Sequence, residues 1–344
     1  MSRAAWWCWL LVWVNGCGLD YYLHLARGQA RILWRSESID KVLAASSTPP
    51  ATVAKLCLIG ELRVFARQRF GLNTGSNYTR FYDTDGQPVS WNVSACPPER
   101  FAPHLWHFPI VGALPYKGFF SRERATRERD ALQALGLDVA MGAVSAYSTL
   151  GYFSDPVLST MIDEEEGDLA ELILHELTHA TIYPRGQTDY SESAATFVGE
   201  AGALAFLAEK YGADAPQLQR ARRRQEDAQR FSAFMKEVAD SLDSLYALGL
   251  PREEVLQRRQ EVFARSKEHY QRRRGEFQVD NYDGFLKWEI NNARLLSYRR
   301  YHRDLELFDR VFTARQAQPE QAILLFKECG DDPSPWDCLR RAAI

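Results

Sequence analysis

The stretch LILHELTHATIY, residues 172–183, sets two histidines and a glutamate into an otherwise oily segment. At about 3.6 residues per turn, His179 falls roughly 40° and Glu176 roughly 100° from His175 on a helical wheel, so the three share one side. Leu169, Ile173, Leu174, Leu177 and Ala180 cover much of the remainder, and a helix that is apolar nearly all round is a buried one. Burying a carboxylate and two imidazoles without partners is very costly. Zinc removes that cost. Histidines at i and i+4 can aim two ring nitrogens at one ion, and the intervening glutamate then faces the ion's water, whose proton it takes as general base. His175-Glu176-Leu177-Thr178-His179 is that HExxH spacing.

A catalytic zinc takes three protein ligands and leaves one position open. SESAATFVGEAGALAFLAEKYG, residues 191–212, reads as a second helix after the turn RGQTD. Glu192 is its first acidic residue and the candidate third ligand. Ala195, Thr196 and Gly199 are small enough to let the two helices approach. With Asp189 as N-cap, Glu192 would instead close a capping box. Glu200, rotated roughly 80° from Glu192, suits a place behind the ligands, holding a histidine's other N–H. It becomes the ligand if the register differs, and Asp189 is the outside candidate.

Around these helices the chain reads as α+β. Residues 17–75 form an N-terminal helical hairpin split at STPP, with Gly71 as C-cap. Residues 76–212 form a metal-binding catalytic domain with a mixed sheet and the two active-site helices. Within it RFYDTDGQPVSWNVSA is a hairpin around Asp85-Gly86, and SRERATRERDALQALG a helix capped by Ser121. The first metal helix starts at Asp168, with Glu171 in capping-box spacing. AYSTLGYF, residues 146–153, is a strand placed to pair with extended peptide, or a plain sheet strand. Residues 213–344 form a helical lobe. Tyr147 and Tyr301 are candidate donors to a tetrahedral oxyanion. Asn291 and Asn292, in WEINNARLL, are polar residues amid an amphipathic helix, and one of them could face the cleft, Asn292 as a residue behind the ligands.

The first residues read as an export signal. Arg3 precedes AAWWCWLLVWV, residues 4–14, too short to span a bilayer as a helix. VNGCG, residues 14–18, has lipobox form: residues 1–16 would be removed and Cys17 lipidated. Gly18 after the cysteine favours the outer membrane, facing the periplasm. In an oxidising compartment Cys329 and Cys338, flanking the turn-rich CGDDPSPWDC, are the favoured disulfide. Cys57, in an apolar helical pattern, reads as a buried free thiol. The 344 residues are 46% apolar and carry a net charge of −3, which argues for two packed parts and against nucleic acid as a partner.

YYLHLARGQ, WNVSA, FPIVGALPYKGFF, AYSTLGYFSDPVLSTM, the HExxH helix followed by SESAATFV, and NNARL together resemble a family of bacterial lipoproteins described as predicted zinc-dependent aminopeptidases. The resemblance covers most of the chain and is weakest at 214–275 and after 318. It implies a zincin of the glutamate type, with His175, His179 and Glu192 as ligands and Glu176 as base. The pattern departs from better-known glutamate zincins: Glu192 lies only 13 positions after His179, Thr196 stands where many carry an aspartate, and the GxMEN signature for a free N-terminal amine is missing. The expectation is a zinc peptidase of the envelope, lipid-anchored and acting on peptides or proteins. The alternatives are a binding or scaffold lipoprotein with a structural metal, and a zinc amidase on cell-wall peptides.

Overall fold

The computed structural model describes residues 18–109, 112–144, 154–315 and 318–343. The signal, Cys17, Tyr147 and the strand read at 146–153 lie outside the described residues. The fold is mixed α+β, mostly helical, with small sheets.

Helix α1 (Gly18–Arg35) leads through β1 (Glu37–Ser38) and α2 (Ile39–Ala44) to α3 (Pro50–Phe70). Gly71 closes α3 at φ 63°, its N–H bonding Ala66 O, a left-handed position where glycine is unstrained. The segment before STPP folds as two helices rather than one: α2 meets α3, and α1 turns away to the sheet. The buried side of α1 is held by β6 (Lys117–Phe119) and the residue after it: the Tyr21 hydroxyl donates to Gly118 O at 3.0 Å, and Phe120 N–H donates to His24 Nε2 at 3.0 Å. A side chain at Gly28 would strike the Phe120 ring.

The turn at Asp85-Gly86 is present, with φ 54° and 69°, but its strands do not pair. β2 (Arg80–Tyr82) lies antiparallel to β1 and parallel to β8 (Val157–Leu158). β3 (Ser90–Cys96) lies between β6 and β7 (Asp138–Val144), antiparallel to both, in the register Asn92 opposite Gly118 and Gly142. Each strand has both edges taken, so none is left for the other. β4 (Trp106–Phe108) and β5 (Gly112–Leu114) make a separate ribbon. α4 (Arg122–Ala134) starts at Ser121, whose hydroxyl accepts the Arg124 N–H as its cap.

After β8 come the single turn α5 (Ser159–Ile162), α6 (Glu166–His179) and α7 (Thr188–Tyr211). α6 starts two residues before Asp168 and makes no capping box, because Asp168 and Glu171 both bind Arg224. Leu169, Ile173, Leu174 and Leu177 are buried in the largest core with Leu62, Phe65 and Phe70 of α3. Truncating one such leucine to alanine costs about 2–5 kcal/mol.

α8 (Pro216–Tyr246) and α9 (Arg252–Arg273) pack around Phe231, Phe234, Tyr270 and Phe285. α10 (Asn292–Tyr301) then runs back to the sheet. The last helices, α11 (Leu305–Thr313), α12 (Pro319–Asp331) and α13 (Pro335–Ala342), return to the main core through Phe308, Val311, Phe326 and Leu339. The expected C-terminal lobe is therefore two things: an aromatic subcore up to α10, and a final layer that completes the main core. Cys329 and Cys338 form a disulfide joining α12 to α13. Cys57 is exposed rather than buried; Cys96 is the buried thiol, pushed up to about 12 by burial.

Candidate metal centre

The core that buries one side of α6 leaves His175, Glu176 and His179 on a cleft, where α7 meets them. That contact depends on a small residue. A Cβ at Gly199 would sit 2.8 Å from Glu171 O and 3.2 Å from His175 Cβ, so any side chain there forces the helices apart. The close approach brings Glu192 against both imidazoles. Its Oε2 lies 3.3 Å from His179 Nε2 and 3.6 Å from His175 Nε2, and the two Nε2 atoms are 3.2 Å apart. Among the described residues, His175, His179 and Glu192 are the group of His, Cys, Asp or Glu side chains able to hold a metal ion together.

The electrostatics agree with that convergence. Burial alone would raise the Glu192 carboxyl, but positive His179 and hydrogen bonds from both imidazoles outweigh it and hold the carboxyl well below its usual range. Burial would lower His179, and the Glu192 charge overrides it and raises the imidazole.

Behind His179 stands a residue that was not singled out in the sequence. Ser191 Oγ lies 3.2 Å from His179 Nδ1 and donates to Ile182 O at 3.3 Å. A hydroxyl has one proton. Spent on Ile182 O, it leaves Ser191 an acceptor for Nδ1–H, so Nε2 is the nitrogen turned to Glu192 and the one that would give up its proton to bind a metal. Glu200 does not play this part. It takes a hydrogen bond from Gln225 and sits beside Glu171, and burial pushes its carboxyl well above the usual range. Glu171 in turn accepts from Arg224 at 2.7 Å. Asp189 is no ligand either; it faces Arg300 and Arg303 at 3.9 and 3.6 Å, and no capping box with Glu192 forms at the start of α7.

Neither asparagine faces the cleft: Asn291 caps α10 and its amide donates to Val139 O at 3.0 Å. Asn292 is fully buried, its amide donates to Pro97 O and Arg100 O, and its oxygen accepts the Tyr246 hydroxyl. Those bonds pin α10 to the end of β3 and leave none for the histidines. Tyr301 does line the cleft, its ring centroid 6.2 Å from that of His175. The Glu192 charge, then burial, raises its phenol far above the usual value, so it stays protonated and can donate. Tyr116 lines the same cleft, is raised by burial and then by Glu192, and stacks under the Arg300 guanidinium at 5.3 Å. Its place in FPIVGALPYKGFF gave no hint of this role.

Glu176 also lines the cleft, and its Oε2 is buried without a hydrogen-bond partner among the described residues. An unpaired buried carboxylate oxygen is costly, so a proton donor beyond the described residues fits there. The cleft holds about 1740 Å³. Its walls come from α1 (Tyr22, Leu33), the sheet (Asn92, Ala140), α6–α7 and α10 (Arg294, Tyr301). A volume of that order takes an extended peptide segment rather than one small molecule.

The profile of a family described as "Putative aminopeptidase" matches residues 20–333. No curated protein and no solved structure matches the chain.

Proposed function

The chain belongs to that aminopeptidase family, and from this premise we propose that it is a zinc-dependent peptidase of the zincin type, working on peptides at the periplasmic face of the cell envelope. The family supports peptide hydrolysis as the reaction. The observation that carries the metal reading is the convergence of His175 Nε2, His179 Nε2 and Glu192 Oε2 beside a Glu176 oxygen that has no hydrogen-bond partner among the described residues.

Two imidazoles and a carboxylate suit zinc with one position left open. When bound there, zinc polarises a carbonyl and acidifies a water. The residues of the chain supply the rest. Glu176 takes the water's proton and hands it to the leaving amine. Ser191 holds His179 in the tautomer that presents Nε2. Tyr301, kept protonated first by the charge of Glu192, or Tyr116, kept so first by burial, donates to the oxyanion as charge develops on it. Arg300, with its guanidinium over Tyr116, orients that ring.

Export and lipid attachment at Cys17 are part of the proposal. The Cys329–Cys338 disulfide supports them, because such bonds persist in oxidising compartments.

The test is a Glu176→Gln variant assayed on a mixture of unlabelled peptides, with zinc content measured on the same sample. Zinc stays at the wild-type level and cleavage falls by roughly 10²–10⁴-fold. Cleavage at the wild-type rate by the glutamine variant would remove the general base from the account.

A further inference from the structure

Helix α1 carries a second apolar face that none of the described residues covers. Its buried side, Tyr21, Gly28 and Ile32, meets the sheet and the main core. On the opposite side Leu19, Leu23, Ala30 and Trp34 fall within roughly 60° of one another at 100° per residue. Leu19 is 49%, Leu23 47% and Trp34 90% exposed. A single exposed leucine is ordinary; a row of four turns ending in a free indole is a surface.

The charge beside that row decides what it fits. Arg27, Arg31 and Arg35 repeat every fourth residue on one side of it, roughly 20°, 60° and 100° beyond Trp34, all exposed. None of the three makes an ion pair among the described residues. Asp20 is the only acidic residue of α1, and it is taken by Arg124 at 2.5 Å. An apolar row with tryptophan at its end, edged by unpaired arginines, is the pattern of a helix lying in a lipid interface: the apolar side chains enter the acyl boundary, and the guanidinium groups reach anionic head groups.

We propose that the Leu19–Trp34 face of α1, with Arg27, Arg31 and Arg35, lies flat on an anionic lipid surface. Its other edge, through Tyr22, Ala26 and Leu33, forms part of the cleft wall. The same helix therefore turns the cleft mouth toward the membrane plane, so substrates enter along that plane. This contact is separate from the peptidase reading and from any lipid on Cys17.

The test uses the full chain on vesicles containing phosphatidylglycerol and brominated acyl chains. The contribution of Trp34 is isolated as the difference in quenching between wild type and Trp34→Phe. A clear difference is expected on anionic vesicles, and it is lost when Arg27, Arg31 and Arg35 are all changed to Glu, while cleavage of a soluble peptide is unchanged. These exposed positions leave the core intact. A Leu23→Glu variant gives a second reading and should lose the same quenching. If the chain co-sediments with vesicles while Trp34 stays unquenched, the proposal is overturned. It is equally overturned if Leu23→Glu dissolves a dimer and lipid leaves Trp34 unaffected.

Discussion

At Ser191 a single hydroxyl proton sets the state of a neighbouring imidazole. Donated to Ile182 O, it obliges Ser191 to accept from His179 Nδ1–H, and the ring then presents Nε2 to the site. Ser191→Ala removes that constraint without touching the three converging atoms. Metal affinity should fall by about 10–100-fold, read by competition with a chelator, with the folding transition nearly unchanged. An unchanged affinity would mean that Glu192 alone orients His179. Ser191 escaped the sequence reading because serine before a glutamate carries no signal; only the backbone carbonyl of Ile182, placed by the turn after α6, gives it a task. His175, Glu176 and His179 were legible because their spacing is a helical repeat inside one element. Asn292 was misread for the converse reason: a polar residue on an amphipathic helix looks functional, and only the fold shows its amide filled by Pro97 and Arg100.

Between elements, the distance from α6 to α7 governs the site. Gly199 marks the point of closest approach, where a methyl group would meet Glu171 O at 2.8 Å. Backbone on a packed helix cannot give way cheaply. Gly199→Ala should cost about 1–3 kcal/mol of stability and, by moving Glu192 away from the histidines, weaken metal binding as well. Denaturation and a metal titration on the same preparation read the two effects. Next along the same interface, Glu171 and Glu200 are neighbouring, partly buried carboxyls, and burial raises Glu200. A carboxyl raised on folding leaves the protein relatively more stable while it is protonated, and loses that advantage as pH climbs above its ordinary 4.5. Glu200→Gln should therefore match wild type near pH 4 and exceed it by on the order of 1–3 kcal/mol near pH 8. A difference that shrank with rising pH would reverse the assignment. At this scale the sequence was a mixed guide. Helices announced themselves through apolar spacing, and Gly71 and Ser121 through their capping chemistry. The β2–β3 hairpin failed because a turn signal at Asp85-Gly86 says nothing about which partners compete for the strand edges.

Over the whole molecule the cleft belongs to no single stretch of chain. α1 supplies one wall, the β6–β3–β7 sheet another, and α10 closes the side near Tyr301. Such long-range placement leaves no local trace, which is why Tyr116 passed unnoticed and why α11–α13 were read as part of a lobe when Phe308 and Phe326 in fact complete the main core. The same assembly gives the site its properties. The Glu192 charge and burial together keep two phenols protonated, and Arg224 ties α8 to α6. The central claim is that three side chains, brought together from two helices, hold one metal ion. Zinc-edge X-ray absorption on the purified, folded chain reads that shell directly. The account predicts about one zinc per chain bound by two imidazoles and a carboxylate oxygen, with the carboxylate contribution lost in Glu192→Ala and kept in Glu200→Ala. A chain that takes up no zinc, or a shell unchanged by Glu192→Ala, would contradict it.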